Sequence, residues 1–549
     1  MARHPRPILR RSSRLIEQPG YLSRQGHRQR NPFDVPEILL ELGQYLDLHT
    51  LTVCIRVSRQ WQKTLTPQIW ADLHLNFRCP PKIPSPLAFR THSVHVRRLK
   101  IVSDRNHLEF WNLDHLWREG SEKFPLFCPN LSHLTVQQGR RGFANSLVNI
   151  VLRHRQTLRC LTFSGRATQE LIEALTHCPQ LKCMESGGMS NATHFLEAYE
   201  RLWSRLEVVS FRGSVHRMSQ VPSSEIMEQC AIRMGPSRIQ RLTFDDDRNM
   251  TLYGWMVQQS PQLIHLQCCS SMPDTFSPMR WLAFEIEQTI MDRSGLQSLA
   301  LPYQTFRPEV FRYFLSTVPR IKKLDLSSTN FSRPSWMTMR LFPRHLHAIT
   351  ELTLDSCRLL QGAEVVEMLT MMPNLEVLYA DGYLKDEHVL GDFNRPWACR
   401  GLKVLAVDVE QISSRAQRMF MKRLSELVRL ETCCLCAALN ASGTIGYRLE
   451  LDGGLDRLRT LGRLRSFAVH NTNGPIWGME EVQWMQRFWP KLDSLRGFSM
   501  DEDAASLLEQ AHVSYESDDN WSDDGSDDED DEESDDEEDS GSESENDGE

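Results

Sequence analysis

No stretch of the sequence runs 18 residues without polar interruption, so none has the length and apolarity of a membrane-spanning helix. The first residues, MARHPRPILRRSSRLIEQPG, lack the apolar centre of a secretory leader, because Ile8-Leu9 is followed at once by Arg10 and Arg11. Catalytic signatures are missing as well. There is no P-loop, no HExxH, no GxSxG and no Gly-rich dinucleotide fingerprint, and no histidine stands beside a plausible nucleophile in a recognisable frame. The expectation is a non-enzymatic protein of the cytoplasm and/or nucleus, without cofactor, metal or membrane. Its 14 cysteines are then expected as free thiols. The densest group is Cys433, Cys434 and Cys436 in LETCCLCAAL. It lacks a fourth ligand at a fixed offset and falls on an expected buried strand, where Cys acts as a small hydrophobe.

Charge is present but segregated. Residues 516–549 hold 21 Asp and Glu and no Lys or Arg, while residues 1–30 hold eight Arg against one acid, Glu17. The 485 residues between them carry only +5, which argues against a dedicated nucleic-acid surface. Both ends are too polar to bury a core, so residues 1–30 are expected as a disordered Arg-rich arm and 501–549 as a disordered acidic tail. The arm reads as a solvated extension, a nuclear address, or a basic kinase site at Arg10-Arg11-Ser12-Ser13. The tail, with Ser526 and Ser534 each followed by Asp-Asp-Glu, reads either as solubilising or as a binder of basic proteins.

At 549 residues the chain exceeds one compact core, so several domains or a repeat array must share the apolar 40%. Residues 31–75 read as three short helices. Asp34 can cap the first, and Pro36 sits near its first turn, where a missing N–H costs nothing. Ile38, Leu39, Leu42, Tyr45 and Leu46 follow at helical spacing. Leu48, Leu51, Ile55 and Val57 belong to the second unit, and Trp61, Leu65 and Trp70 to the third. PPKIPSP (80–86), within a 76–92 linker, reads as a stiff spacer.

This unit resembles the F-box family. Val35-Pro36-Glu37-Ile38 matches its hydrophobic–Pro–x–Glu–hydrophobic opening, and Tyr45-Leu46-Asp47 with Leu51 matches its middle. Val57, Arg59, Trp61 and Trp70 match its close. Val35 stands where Leu is usual and Ser58 where Cys is frequent, and Gly43 weakens the first helix by about 1 kcal/mol relative to Ala. The resemblance implies docking on the Skp adaptor of a cullin–RING ubiquitin ligase. Helix-in-groove docking needs an outward apolar row, with Val35, Pro36, Ile38, Leu39, Leu42, Leu46 and Leu51 as candidates. A bundle of this size cannot enclose all seven, so some must face outward.

From about residue 93 to 500 one pattern recurs: apolar-x-x-apolar-x-apolar. It runs through Val96/Leu99/Ile101, Leu131/Leu134/Val136, Leu158/Leu161/Phe163, a degraded Leu181/Met184, Leu206/Val209/Phe211 and Ile239/Leu242/Phe244. Further copies are Leu263/Leu266/Cys268, Leu296/Leu299/Leu301, Ile321/Leu324/Leu326, Ile349/Leu352/Leu354 and Leu375/Leu378/Ala380. Leu402/Leu405/Val407, Leu430/Cys433/Leu435, Leu464/Phe467/Val469 and a weak Leu492/Leu495 complete the set. Each copy predicts a strand. Helical spacing at 168–178, 308–318, 363–372 and 415–427 predicts helices between copies. One strand and one helix cannot close a core alone, whereas stacked units bury a continuous one, so an α/β solenoid with a parallel sheet follows.

The period of about 28 residues, with Cys128-Pro129, Cys178-Pro179, Ser260-Pro261, Met372-Pro373 and Trp489-Pro490 opening copies, resembles degenerate Cys-containing leucine-rich repeats. That resemblance implies a horseshoe of about 14–15 repeats with the sheet on its concave face. The outward strand positions after the last apolar residue place Asp355, Asp381 and Asp408 in register, with Asp325 and Glu351 nearby. Like charges on adjacent strands repel. Either each Asp turns back to cap its own loop, or the group forms a negative patch for a basic segment of an unidentified protein substrate. Few Arg occupy these positions, which argues against phosphate-dependent capture.

Together the resemblances imply the substrate-recognition subunit of a Skp–cullin–F-box ligase. The alternatives are an adaptor-binding scaffold outside the ligase and a leucine-rich-repeat GTPase-activating protein for Ran, whose acidic tail is similar.

Overall fold

The computed structural model describes residues 35–76, 84–103, 128–138, 144–165, 167–187, 196, 200–211, 224–244, 250–269, 295–391, 395–409, 413–437, 451, 454–470 and 476–516. The Arg-rich arm, Asp34, the first prolines of PPKIPSP and residues 517–549 lie outside them. The chain divides into two compact units at Gln137/Gln138.

In the first unit, α1 (Pro36–Gly43), α2 (Leu48–Cys54) and α3 (Arg59–Ala71) form where the apolar spacing predicts helices. Pro36 occupies the first turn of α1. The Thr50 N–H donates to the Asp47 carboxylate at 2.7 Å, capping α2 and holding that carboxyl below its ordinary value. The Trp61 N–H donates to Ser58 Oγ at 3.2 Å, capping α3. Ser58 is thus a helix cap. Ser58→Ala is expected to cost this unit about 1 kcal/mol, read as a lowered denaturant midpoint at unchanged slope. Leu39, Leu51 and Leu65 make the buried centre, with Leu46, Cys54, Ile55, Trp61 and Ile69 packed around them. Gly43 lets α1 pack closely on α3, because a Cβ there would run into the Gln68 side chain, whose Nε2 donates to the Leu40 carbonyl at 2.7 Å.

Helix α3 runs without a break into a strand, β1 (Asp72–Asn76), which pairs in parallel with β2 (Arg98–Ser103) through Leu73↔Leu99 and Leu75↔Ile101. The sheet therefore begins inside the segment expected to be wholly helical, where Leu73 and Leu75 carry a two-residue alternation too short to stand out. Between them α4 (Pro86–His92), capped by Ser85, occupies the expected linker, and His92 stacks on Trp70 at 4.8 Å. The strand β3 (His133–Gln138) follows, its first residues hydrogen-bonded to the Arg97 carbonyl.

The second unit is a stack of parallel strands with helices between them. They are β4 (Cys160–Phe163), β5 (Cys183–Ser186), β6 (Val208–Phe211), β7 (Arg241–Phe244), β8 (His265–Cys268), β9 (Ser298–Ala300) and β10 (Lys323–Asp325). There follow β11 (Glu351–Leu354), β12 (Val377–Leu384), β13 (Val404–Val409), β14 (Thr432–Ala437), β15 (Ser466–His470), β16 (Ile476–Trp477), β17 (Ser494–Arg496), β18 (Ser499–Met500) and β19 (Ser514–Glu516). Neighbours in sequence pair from β4 through β15, then β17 and β19, all in parallel, while β16 and β18 form a separate pair. One column of buried side chains runs across the sheet, Leu161, Met184, Val209, Leu242, Leu266, Leu299, Leu324 and Leu352, and continues through Leu378, Leu405, Cys433, Phe467 and Leu495. These are the middle positions of the repeated triples, the degraded Met184 copy included. The result is a solenoid-like α/β stack, each unit closing its core only against its neighbours.

The residue before proline has a recurring backbone task. The carbonyls of Cys178, Ser260, Met372 and Trp489 accept from the N–H three residues on, at 3.0–3.3 Å, so the proline sits at the second position of a turn that delivers the chain to the strand. All four side chains are buried. The helices Gln169–Thr176, Pro308–Thr317, Gly362–Met371 and Ser414–Ser425 lie at the predicted positions. Beyond residue 500, the helix Glu502–Gln510 and β19 add another copy within the segment expected to be tail. Asp501 caps this helix, and Ala504 and Leu508 are buried, so the acidic count had masked a short amphipathic unit.

Candidate functional site

Two surfaces collect the residues singled out above, one in each unit. In the first, Leu39 and Leu51 belong to the buried centre, and Val35, Leu42 and Leu46 are half-buried. Pro36 and Ile38 are exposed. The exposed apolar set also includes Leu40, Val53 and Val57, with Tyr45 78% and Leu48 60% accessible. A 36-residue bundle with three buried leucines leaves six large apolar side chains in solvent. The apolar spacing passes over Leu40 and does not mark Leu48 as outward, because in so small a bundle both sides of a helix can be apolar.

In the second unit, the five acids have three different environments. Asp325 accepts from the backbone N–H and hydroxyl of Ser327, so it turns back on its own loop. Glu351 faces Lys323 across the β10–β11 pair and is ion-paired with it at 2.5 Å. Asp355, Asp381 and Asp408 come together as a stripe. Asp381 is hydrogen-bonded to Asp355 and feels the charge of Asp408. Burial, the bond to Asp355 and the two neighbouring charges push the Asp381 carboxyl up to about 7, although the Ser356 N–H that donates to it pulls the other way. Near neutral pH the Asp381 carboxyl is therefore partly protonated, because its charged form is disfavoured by burial and by the neighbouring carboxylates.

The loop geometry explains this placement. Tyr303, Ser328 and Ser356 stand two residues beyond successive triples, each with positive φ of 61°, 55° and 57°. The Tyr303 N–H donates to the Ser327 carbonyl at 2.9 Å, and that of Ser328 to the Asp355 carbonyl at 2.7 Å, so loops stack on one another as the strands do. At the third step the register between β12 and β13 slips after Ala380, and the Ser356 N–H takes the Asp381 carboxylate instead of a carbonyl. Asp381 therefore caps its neighbour's loop, an outcome between the two sequence readings. Tyr379, on the outward side of β12 between Thr353 and Ala406, and Tyr383 further along the strand are both exposed. Following the acidic residues of the outward positions passes over these tyrosines.

Among the described residues, no group of three or more His, Cys, Asp or Glu is placed to hold a metal ion, and no helix is long and apolar enough to cross a membrane. The arrangement offers hydrogen-bond acceptors, negative charge and aromatic faces, which suit a cationic side chain. Comparison with known proteins finds no protein-family model and no curated protein that matches this chain.

Proposed function

We propose that this chain is the substrate-recognition subunit of a Skp–cullin–F-box ubiquitin ligase. Residues 36–71 would be an F-box docking the Skp adaptor, and the strand–helix stack would be a leucine-rich-repeat horseshoe whose sheet captures a protein substrate. The observation that carries this reading is the exposed apolar set around α1 and α2 on a bundle too small to be stable by itself. Such a surface suits helix-in-groove association, and α3 continues directly into β1, which pairs with β2 in the same unit. The acid stripe and Tyr379 supply a place for a basic segment of the substrate. The ligase machinery would perform the chemistry while this chain holds the substrate in position.

Pull-down with the full-length chain and with a form lacking 31–75 tests the reading. Adaptor and cullin captured by the first and lost together from the second support the ligase. Adaptor without cullin supports a scaffold outside it. Capture of neither, combined with stimulation of GTP hydrolysis by Ran, supports the GTPase-activating alternative.

A further inference from the structure

Cys160 opens β4 and Cys183 opens β5, and the two are direct partners across this parallel pair. Among the described residues no other two cysteines are strand partners. Strand alternation sends Leu161 and Met184 into the core, so the cysteines face away from it on the side of Thr162 and Glu185. Both cysteines are without a disulfide and half-buried.

We propose that Cys160 and Cys183 are a redox modification site that closes to a reversible cross-strand disulfide, with hydrogen peroxide as oxidant. The two thiols are already hydrogen-bonded to each other. That bond holds the Cys160 thiol below its ordinary value, against burial and the Glu185 charge, and raises Cys183. Cys160 is therefore the nucleophile and Cys183 the resolving thiol. The Cys160 thiolate attacks one peroxide oxygen, the O–O bond breaks, and hydroxide leaves with a sulfenic acid formed on Cys160. The Cys183 sulfur then attacks that sulfenic sulfur, the S–O bond breaks, and water departs. Two thiols and one peroxide become one disulfide and two waters.

Geometry makes this bond reversible. Neighbouring strands lie about 4.8 Å apart, inside the roughly 4.4–6.8 Å that a disulfide spans between Cα atoms. In-register Cβ atoms in a parallel ladder sit at about the strand spacing, whereas a disulfide draws them to about 3.5–4.5 Å. Closure must pull the two strands slightly together, and strained disulfides are the readily reduced ones. The bond would clamp one repeat, with the helix Gln169–Thr176 inside the closed loop.

The test treats the reduced, full-length protein with stoichiometric hydrogen peroxide and maps its cysteines by peptide mass spectrometry. The expected product has lost two hydrogens, carries a Cys160–Cys183 linked peptide, and returns to the starting mass with dithiothreitol. Cys183→Ser, folded as judged by an unchanged Tm, is expected to stop at a sulfenic acid on Cys160 that dimedone traps. Cys160→Ser is expected to leave Cys183 unoxidised. Linkage through other cysteines, or both thiols remaining free in treated wild type, overturns the proposal, as does dimedone labelling of Cys183 in place of Cys160.

Discussion

Replacing Tyr45 and Leu48 together by Asp is expected to abolish capture of the Skp adaptor while the chain stays folded. Both side chains stand largely in solvent, Tyr45 in the turn before α2 and Leu48 at its first residue. Asp is compatible with both places, since it suits turns and is favoured at a helix N-terminus. Exposed substitutions of this kind shift stability by about 0.5 kcal/mol or less. In the docked state two apolar contacts, each contributing about 1.5–3 kcal/mol when fully buried, would be exchanged for two carboxylates to be desolvated. A loss of at least a hundredfold in affinity follows, or about 2.8 kcal/mol. Leu65→Ala is the contrast. It empties part of the buried centre and should cost about 2–5 kcal/mol of stability, removing capture by unfolding the unit. Calorimetry with the double variant separates the cases: an unshifted melting transition with adaptor capture intact would sink the docking surface.

Most of the strand positions were legible because the constraint on them is local. Each strand must point alternate side chains into a shared core, so Leu352, Leu378 and Leu405 announce themselves, and even Leu181/Met184 keeps enough of the pattern. What stayed hidden depends on pairings distant in sequence or on segments too short for periodicity. β1 has only Leu73 and Leu75 to signal it. The slip in register after Ala380 and the bond from the Ser356 N–H to Asp381 are both facts of pairing that the sequence does not display. The ion pair that neutralises Glu351 needs Lys323 directly opposite, a fact of register. In the helical unit, Leu39 faces inward while Ile38 and Leu40 beside it do not, and composition cannot order three neighbouring apolar residues.

The acid stripe gives the second large effect. Reversing Asp355, Asp381 and Asp408 to Lys is expected to abolish capture of a basic substrate segment while adaptor capture persists, because favourable charges become repulsive ones at the same positions. Substrate crosslinks to 351–409 that survive the reversal would refute this. Asp381→Asn probes the stripe without reversing it. The carboxyl is pushed up to about 7 in the folded chain from the 3.8 of an ordinary Asp, chiefly through burial and then through its bond to Asp355. Between those values the folded chain holds one proton more than the unfolded chain, so wild-type stability falls as pH rises from about 3.8 to about 7 and levels off above. Asn keeps an acceptor for the Ser356 N–H and never ionises. The variant should therefore match wild type in Tm near pH 4, gain on it steadily towards pH 7, and hold a constant advantage at pH 8. A Tm difference that is flat across this range would show that Asp381 ionises as an ordinary surface carboxylate. Because the Asp381 proton must leave before the stripe carries its full charge, capture of a basic segment should also strengthen as pH rises from 6 to 8, and Asp381→Asn should remove that pH dependence.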